Sequence, residues 1–261
     1  MKIGATNFPS TTQTESVSNK LNNQLASGKR VTSAADDAVA LQIINRLTSQ
    51  QEGYSQSIRN AYDGISFSQT TDSALSGVND AVSRIRELSI QAGNGALTDS
   101  DRQALQDEVS QLQSQIPDTF ENTTFGGTQL FDGESRSFQV GPDANTTQSL
   151  EQTDGSFANV ILSVDISTQA GAQAAITAAD DVSESLNSQR AEFGAFENTL
   201  SSTIRSLGTQ QSNIAESQSR IQDTDYAQAA SQQIANDILS QASIALRGQA
   251  NQSASSVLGL L

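Results

Sequence analysis

Cysteine and histidine are both missing from this sequence. Their absence rules out disulfides and thiolate chemistry, and it removes the commonest general base and the ordinary zinc ligand sets. Tryptophan is missing too, and with aromatics at 5% and hydrophobic residues at 35% the chain of 261 residues has only enough apolar material for a thin, extended core. Positive charge is scarce: 14 Lys and Arg stand against 29 Asp and Glu, a formal net charge of −15. The basic residues are scattered singly apart from Lys29-Arg30 and the Arg84/Arg86 pair, so there is no clustered face of the kind that neutralises a nucleic-acid backbone. No stretch is long and apolar enough to span a membrane, and the opening Met1 to Pro9 lacks the apolar core of a signal peptide.

Carboxylate pairs remain at Asp36-Asp37, Asp99/Asp101, Asp180-Asp181 and Asp223/Asp225. None has the ligand spacing of a calcium loop. Asp99-Ser100-Asp101 precedes the periodic run Leu105, Val109, Leu112, Ile116, where helix capping and dipole pairing explain it better than metal binding. With no glycine-rich phosphate loop and no nucleophile elbow either, the sequence argues against an enzyme, and no cofactor or metal is expected.

What the sequence does have is helical periodicity, strongest at its two ends. Val17, Leu21 and Leu25 repeat every four residues, Gly28 interrupts, and Leu41, Ile44 and Leu47 then repeat every three. At the other end Ile204, Leu207, Ile214 and Ile221 are followed by Ile234, Ile238, Ala242 and Ala245, and the chain closes on Val257, Leu258, Leu260 and Leu261. Each stripe is narrow and the other faces are polar, which is the pattern of a coiled-coil seam that needs a facing helix. These residues are therefore the candidate assembly surface.

Between the ends, Ser33 is read as an N-cap ahead of Asp36 and Asp37, with a helix running past Arg59 whose signal weakens at Gly53 and Gly64. A seam of Leu75, Val78, Val82, Ile85 and Leu88 runs up to the stop Gly93-Asn94-Gly95, and a third helix is expected from about Ser100 to Ile116, ending before Pro117. From Phe120 to about Ile166 the composition changes to Gly, Thr, Asn, Asp and Ser. Phe125-Gly126-Gly127 and Phe131-Asp132-Gly133 read as turns, Phe138 to Val140 and Val160 to Val164 as strands, and Phe131, Phe138 and Phe157 as filling of a small β core. Helix returns from about Gln169, with a break near Asp223-Thr224-Asp225. The expected fold is mainly α: an elongated antiparallel helical rod with long coiled-coil terminal helices and a small β-hairpin-rich excursion.

Three stretches resemble a known family. Leu25-Ala-Ser-Gly-Lys-Arg-Val-Thr-Ser-Ala-Ala-Asp-Asp-Ala38 looks like the segment joining the terminal helix to the first rod helix of bacterial flagellins. Arg84-Ile-Arg-Glu-Leu-Ser-Ile-Gln-Ala92 with the Asp107-Glu108 helix is similar to their rod helices, and Ser219-Arg-Ile-Gln-Asp-Thr-Asp-Tyr-Ala227 with the ending Ala250 to Leu261 is the most specific match. The resemblance implies a subunit of the extracellular flagellar filament, exported without a cleavable signal peptide, meeting many copies of itself, an export chaperone, the filament cap and hook-associated proteins. It divides the chain into inner-tube helices 1–34 and 226–261, rod segments 35–131 and 161–225, and a short variable excursion 132–160. It also implies that Arg84, Leu88 and Glu108 form a patch read by a Toll-like innate immune receptor on the monomer. Met1-Lys2-Ile3 together with Leu25 to Arg30 is also similar to the hook-filament junction protein, the alternative reading.

Overall fold

The computed structural model describes residues 11–151 and 155–258. The elements run α1 (Thr11–Ser27), α2 (Ala38–Ala92), α3 (Asp99–Asn122), β1 (Thr124–Phe125), β2 (Thr128–Gln129), β3 (Arg136–Gln139), β4 (Thr147–Leu150), a 3-10 turn (Ser156–Ala158), α4 (Asn159–Leu162), α5 (Gln169–Gln222) and α6 (Tyr226–Leu258). The protein is mainly α, with two small antiparallel strand pairs, β1 with β2 and β3 with β4. Packing divides the chain into two units, residues 1–51 with 212–261, and residues 52–211. The division falls inside α2 and α5, whereas the sequence reading places its boundaries at the helix breaks.

In the 52–211 unit the expected seam of α2 is the core: Leu75, Val78, Val82, Ile85 and Leu88 are almost fully buried. They pack with Val109, Ile116 and Phe120 of α3 and with Ala172, Ala175, Ala179, Val182, Leu186, Phe193, Phe196 and Leu200 of α5. Ion pairs tie the helices at the surface: Arg86 Nε to Asp180 Oδ1 at 2.6 Å and Arg190 Nε to Asp72 Oδ1 at 2.6 Å. Being substantially exposed, such pairs contribute only about 0.2–1 kcal/mol each, so the apolar seam carries the packing.

The two strand pairs sit on this core through aromatic rings. Phe138 meets Phe67 and Phe196 with centroids 5.6 and 5.8 Å apart, and Phe120 meets Phe131 and Phe157 at 4.8 and 5.9 Å, so the three phenylalanines of the excursion fill a core as their sequence context suggests. Gly126 and Gly127 carry the turn between β1 and β2 with φ of 58° and 83°, conformations that side chains disfavour.

Three local expectations are corrected. α3 does not end before Pro117 but runs through it to Asn122. Interior proline costs a helix about 3 kcal/mol, yet Ile116 and Phe120, on either side of it, are both buried, and ending the helix would leave the Phe120 cluster unformed. Val160 to Val164 is not a strand; Asn159–Leu162 makes one helical turn, with Ile161 buried and Val160 exposed, so the apolar run does not alternate as a half-buried strand must. Ser33 does not cap α2: the Ala40 N–H donates to Asp37 Oδ1 at 2.9 Å, one residue before the helix begins. At α3 the cap is Thr98, in a reciprocal box with Asp101, while Asp99 and Asp101 supply the acidic first turn.

α2 passes unbroken through Gly53 and Gly64, and both glycines are places of close approach. A Cβ on Gly64 would lie 2.8 Å from Leu200 Cδ1, and one on Gly53 would lie 2.9 Å from Pro142 Cβ. Gly77, in the same helix, faces open space. Gly77→Ala is expected to raise stability by about 0.5–1 kcal/mol through helix propensity, and Gly64→Ala to lower it by about 1–3 kcal/mol through overpacking, as read from thermal or denaturant unfolding of the two variants.

Candidate assembly surface

In the unit formed by 1–51 and 212–261, the two chain reversals are zipped together. Gly28, at φ 68°, ends α1, and its carbonyl accepts the Thr224 N–H at 3.0 Å, while the Arg30 N–H donates to the Gln222 carbonyl at 2.6 Å. Arg30 Nη2 also donates to the Ile221 carbonyl at 2.6 Å, and Val31, Ala40 and Ile44 form a small buried cluster joined by Leu41 and Ile221. The Tyr226 hydroxyl donates to the Leu25 carbonyl at 2.8 Å, which sets α6 beside α1 at its very first residue. A Cβ on Gly28 would come 3.4 Å from that hydroxyl oxygen, so the glycine supplies clearance as well as the turn.

α1 and α6 then pair, but not through the stripe expected of α6. Among the described side chains of α6, those buried or half-buried are Ala229, Gln233, Asn236, Ser240, Ser243 and Arg247, spaced four, three, four, three and four. This is coiled-coil spacing with small and polar side chains. On α1 the matching residues are Ser18, Leu21 and Leu25, with Leu21 buried, and Gln233 Nε2 donates to Ser18 Oγ at 3.0 Å. Val17 stands 44% exposed. The expected residues Ile234 and Ile238 are each 61% exposed, and Ala242 and Ala245 are exposed with them. Leu239 and Leu246, at 64% and 49%, extend the same outward stripe and were missed in the sequence. The side chains of Val257, Leu258, Leu260 and Leu261 lie outside the described residues.

A groove of about 550 Å³ runs along the α1/α6 pair, with Val17, Leu21, Ala229, Ala235 and Leu239 as its apolar lining and Lys20, Arg30 and Asp225 among its polar members. Ala235 and Leu239 belong both to the groove and to the outward side of α6, so the apolar surface is continuous from one to the other.

The loop between α1 and α2 is held by Asp36. Its Oδ2 accepts from Thr32 N and Oγ1 at 3.3 and 3.0 Å and from Ser33 N and Oγ at 3.1 and 3.0 Å, and its Oδ1 faces Lys20 Nζ of α1 at 3.1 Å. The Lys20 ammonium, followed by the Ser33 and Thr32 donors, holds this carboxyl well below the usual carboxylate range.

In the 52–211 unit, Arg84 of α2 pairs with Glu108 of α3, Nη2 to Oε1 at 2.7 Å and Nε to Oε1 at 2.8 Å, and its Nη1 reaches Glu87 at 3.1 Å. These carboxylates raise the Arg84 pKa further above its ordinary value, the Glu108 hydrogen bond most. Leu88 is only 1% exposed and belongs to the core, so of the three patch residues only the arginine and the glutamate face solvent.

Residues 5–136 match the bacterial flagellin N-terminal helical region, and residues 176–261 match the bacterial flagellin C-terminal helical region. The chain belongs to the bacterial flagellin family. The flagellin of Bacillus subtilis (strain 168) is 34% identical over 285 residues, covering 94% of this chain and 93% of the relative. The flagellar filament 30.7 kDa core protein of Treponema maltophilum is 33% identical over 257 residues, covering 91% and 90%. Among solved structures, the crystal structure of Bacillus cereus flagellin superposes with a TM-score of 0.53 at 26% identity, over 61% of this chain and 94% of that one. A Vibrio parahaemolyticus chain described as a flagellar hook-associated protein reaches 0.64 at 17% identity over 72% of this chain and all of that one, a likeness of fold alone. In flagellin terms, the part of the sequence between the two matched regions, 137–175, holds most of β3, then β4, α4 and the start of α5.

Because the folded Asp36 carboxyl titrates below its unfolded value, its contribution is full above the ordinary carboxylate range and is lost progressively as pH falls from that range toward the lower folded value. Comparing thermal unfolding at about pH 7 and about pH 3, wild type is expected to lose stability on acidification. Asp36→Asn should start lower at neutral pH and lose less.

Proposed function

We propose that this flagellin is the repeating subunit of an extracellular flagellar filament, and that the outward stripe of α6 is where neighbouring copies meet. The observation that carries the reading is that α6 has one covered face and one exposed apolar face. Its small and polar face is covered by α1, while Ile234, Ile238, Leu239 and Leu246 on the remaining surface are left in water. Fully burying an aliphatic side chain of this size stabilises by about 1.5–3 kcal/mol. Four such residues, each about half exposed, therefore offer several kcal/mol per subunit contact. With a net charge of −15, copies repel one another, so assembly relies on apolar burial of this kind. The relatives named as flagellins and as a filament core protein favour the filament subunit over the junction protein.

Replacing Ile234 and Ile238 together by Asp leaves the α1 seam untouched. The doubly substituted protein is expected to keep its helical circular dichroism and remain monomeric under conditions where wild type forms filaments visible by electron microscopy. Filaments of normal yield from the variant would overturn the stripe as the contact.

The remaining partners belong to the same proposal: an export chaperone for the terminal helices, the filament cap and hook-associated proteins, and a Toll-like receptor reading the monomer through the Arg84–Glu108 pair. The pair supports the receptor reading because it spans two helices on the exposed surface and presents both charge signs. Leu88 acts from the core by fixing the helix that carries Arg84. A cell reporter of the receptor is expected to respond more weakly to monomer carrying Arg84→Ala and Glu108→Ala, and an unaltered response would remove this partner.

A further inference from the structure

We infer that the turn joining α2 to α3 contains a self-modification site: Asn94, followed by Gly95, is set up to lose its side-chain amide through a cyclic imide. Asn94-Gly95 is the only Asn-Gly pair in the chain. Both residues are exposed, and a Cβ added to Gly95 would meet nothing nearer than Gln169 Nε2 at 4.0 Å, so the space beside the glycine is open. The turn is ordered around the asparagine. Its carbonyl accepts the Leu97 N–H at 3.2 Å and Arg102 Nη2 at 3.0 Å, and its side-chain Oδ1 accepts the Ala96 N–H at 3.0 Å.

The last of these bonds is the one that matters for chemistry. In the reaction the Gly95 backbone nitrogen attacks Cγ of Asn94, and negative charge develops on Oδ1, where the Ala96 N–H already points. The new N–Cγ bond closes a five-membered ring. The proton leaving the Gly95 nitrogen goes to Nδ2, the Cγ–Nδ2 bond breaks, and ammonia departs. Water then opens the ring at either carbonyl, giving aspartate or isoaspartate and one additional carboxylate. Of the Asp-Gly pairs in the sequence, Asp63-Gly64 lies inside α2 with Leu200 and Phe138 against the glycine, where the helix forbids the ring.

The product has a structural consequence in this turn. Arg102 is buried, and its guanidinium is held by the Ala92 carbonyl at 2.9 Å and by the Asn94 carbonyl. Isoaspartate reroutes the main chain through Cβ and Cγ of residue 94, which adds a methylene to the turn and makes the former Asn94 carbonyl part of a free carboxylate, so one of the two backbone acceptors of a buried cation leaves the main chain. The connection between α2 and α3 is thereby loosened in old protein, and the chemistry stands whether or not the chain polymerises.

The full-length protein, native or held unfolded in denaturant, would be incubated in mildly alkaline buffer. Tryptic cleavage after Arg86 and Arg102 then isolates a peptide whose only asparagine is Asn94, and mass spectrometry with isoaspartate-specific methyl transfer reads the conversion. Asn94 is expected to convert first among the asparagines, with native protein reacting within about tenfold of the unfolded chain, and Gly95→Ala is expected to slow conversion about tenfold or more. Native protein that stays intact at Asn94 while the unfolded chain converts, or a Gly95→Ala variant that converts at the wild-type rate, would overturn the inference.

Discussion

One helix with a covered polar face and an exposed apolar face is the constraint on which the rest of this structure depends. α6 gives α1 a seam of Ala229, Gln233, Asn236, Ser240 and Ser243, and keeps its large aliphatic residues for elsewhere. A monomer built to be stable alone would do the reverse, placing Ile234 and Ile238 against α1 and polar residues in water. The arrangement makes the α1/α6 pair weak by design of composition: small polar seams bury little apolar area, and specificity comes from hydrogen bonds such as Gln233 to Ser18 and Tyr226 to Leu25. Weak internal pairing and strong external surface are what a subunit needs if its final stability is to be acquired on assembly.

The junction around Gly28, Arg30 and Thr224 supports that arrangement. Backbone hydrogen bonds between the two reversals start α1 and α6 side by side, the Asp36 clamp to Lys20 holds the α1–α2 loop against α1, and Leu21 and Leu25 are the large apolar side chains of the seam. The 52–211 unit is organised on the opposite principle, with a continuous apolar core of large residues on α2, α3 and α5 and aromatic clusters under the strand pairs. Two physical regimes thus share one chain: a unit that folds by burial, and a pair of terminal helices aligned largely by polar contacts, with an apolar stripe left in water.

Where large residues recur at helical spacing and are truly buried, the sequence was readable. The Leu75 to Leu88 seam, the start of α5 at Gln169, the stop at Gly93-Asn94-Gly95 and the break before Tyr226 all emerge from local pattern. Pro117 and Val160 misled because each was judged on local propensity, while Ile116, Phe120 and Ile161 were being held by residues far away in sequence. The α6 stripe shows a subtler limit. Its residues were legible as a surface wanting a partner, but the face that meets α1 was not, because a search for apolar repeats passes over alanine, serine and asparagine at the same spacing. A heptad scan that admits small polar residues would have found it. The pairing of Arg84 with Glu108 likewise depends on two helices meeting and has no local signature, whereas the burial of Leu88 follows from its place at the end of the seam.

The absence of cysteine makes the two-faced helix directly testable, since any thiol introduced is unique. Ile238→Cys and Ala229→Cys would each be treated with a thiol-alkylating reagent as monomer and as assembled filament. Position 238 is predicted to react readily in the monomer and to be protected in the filament, while position 229 is protected in both. A cysteine at 238 that stays as reactive in the filament as in the monomer would contradict the claim that this stripe is the surface other copies cover.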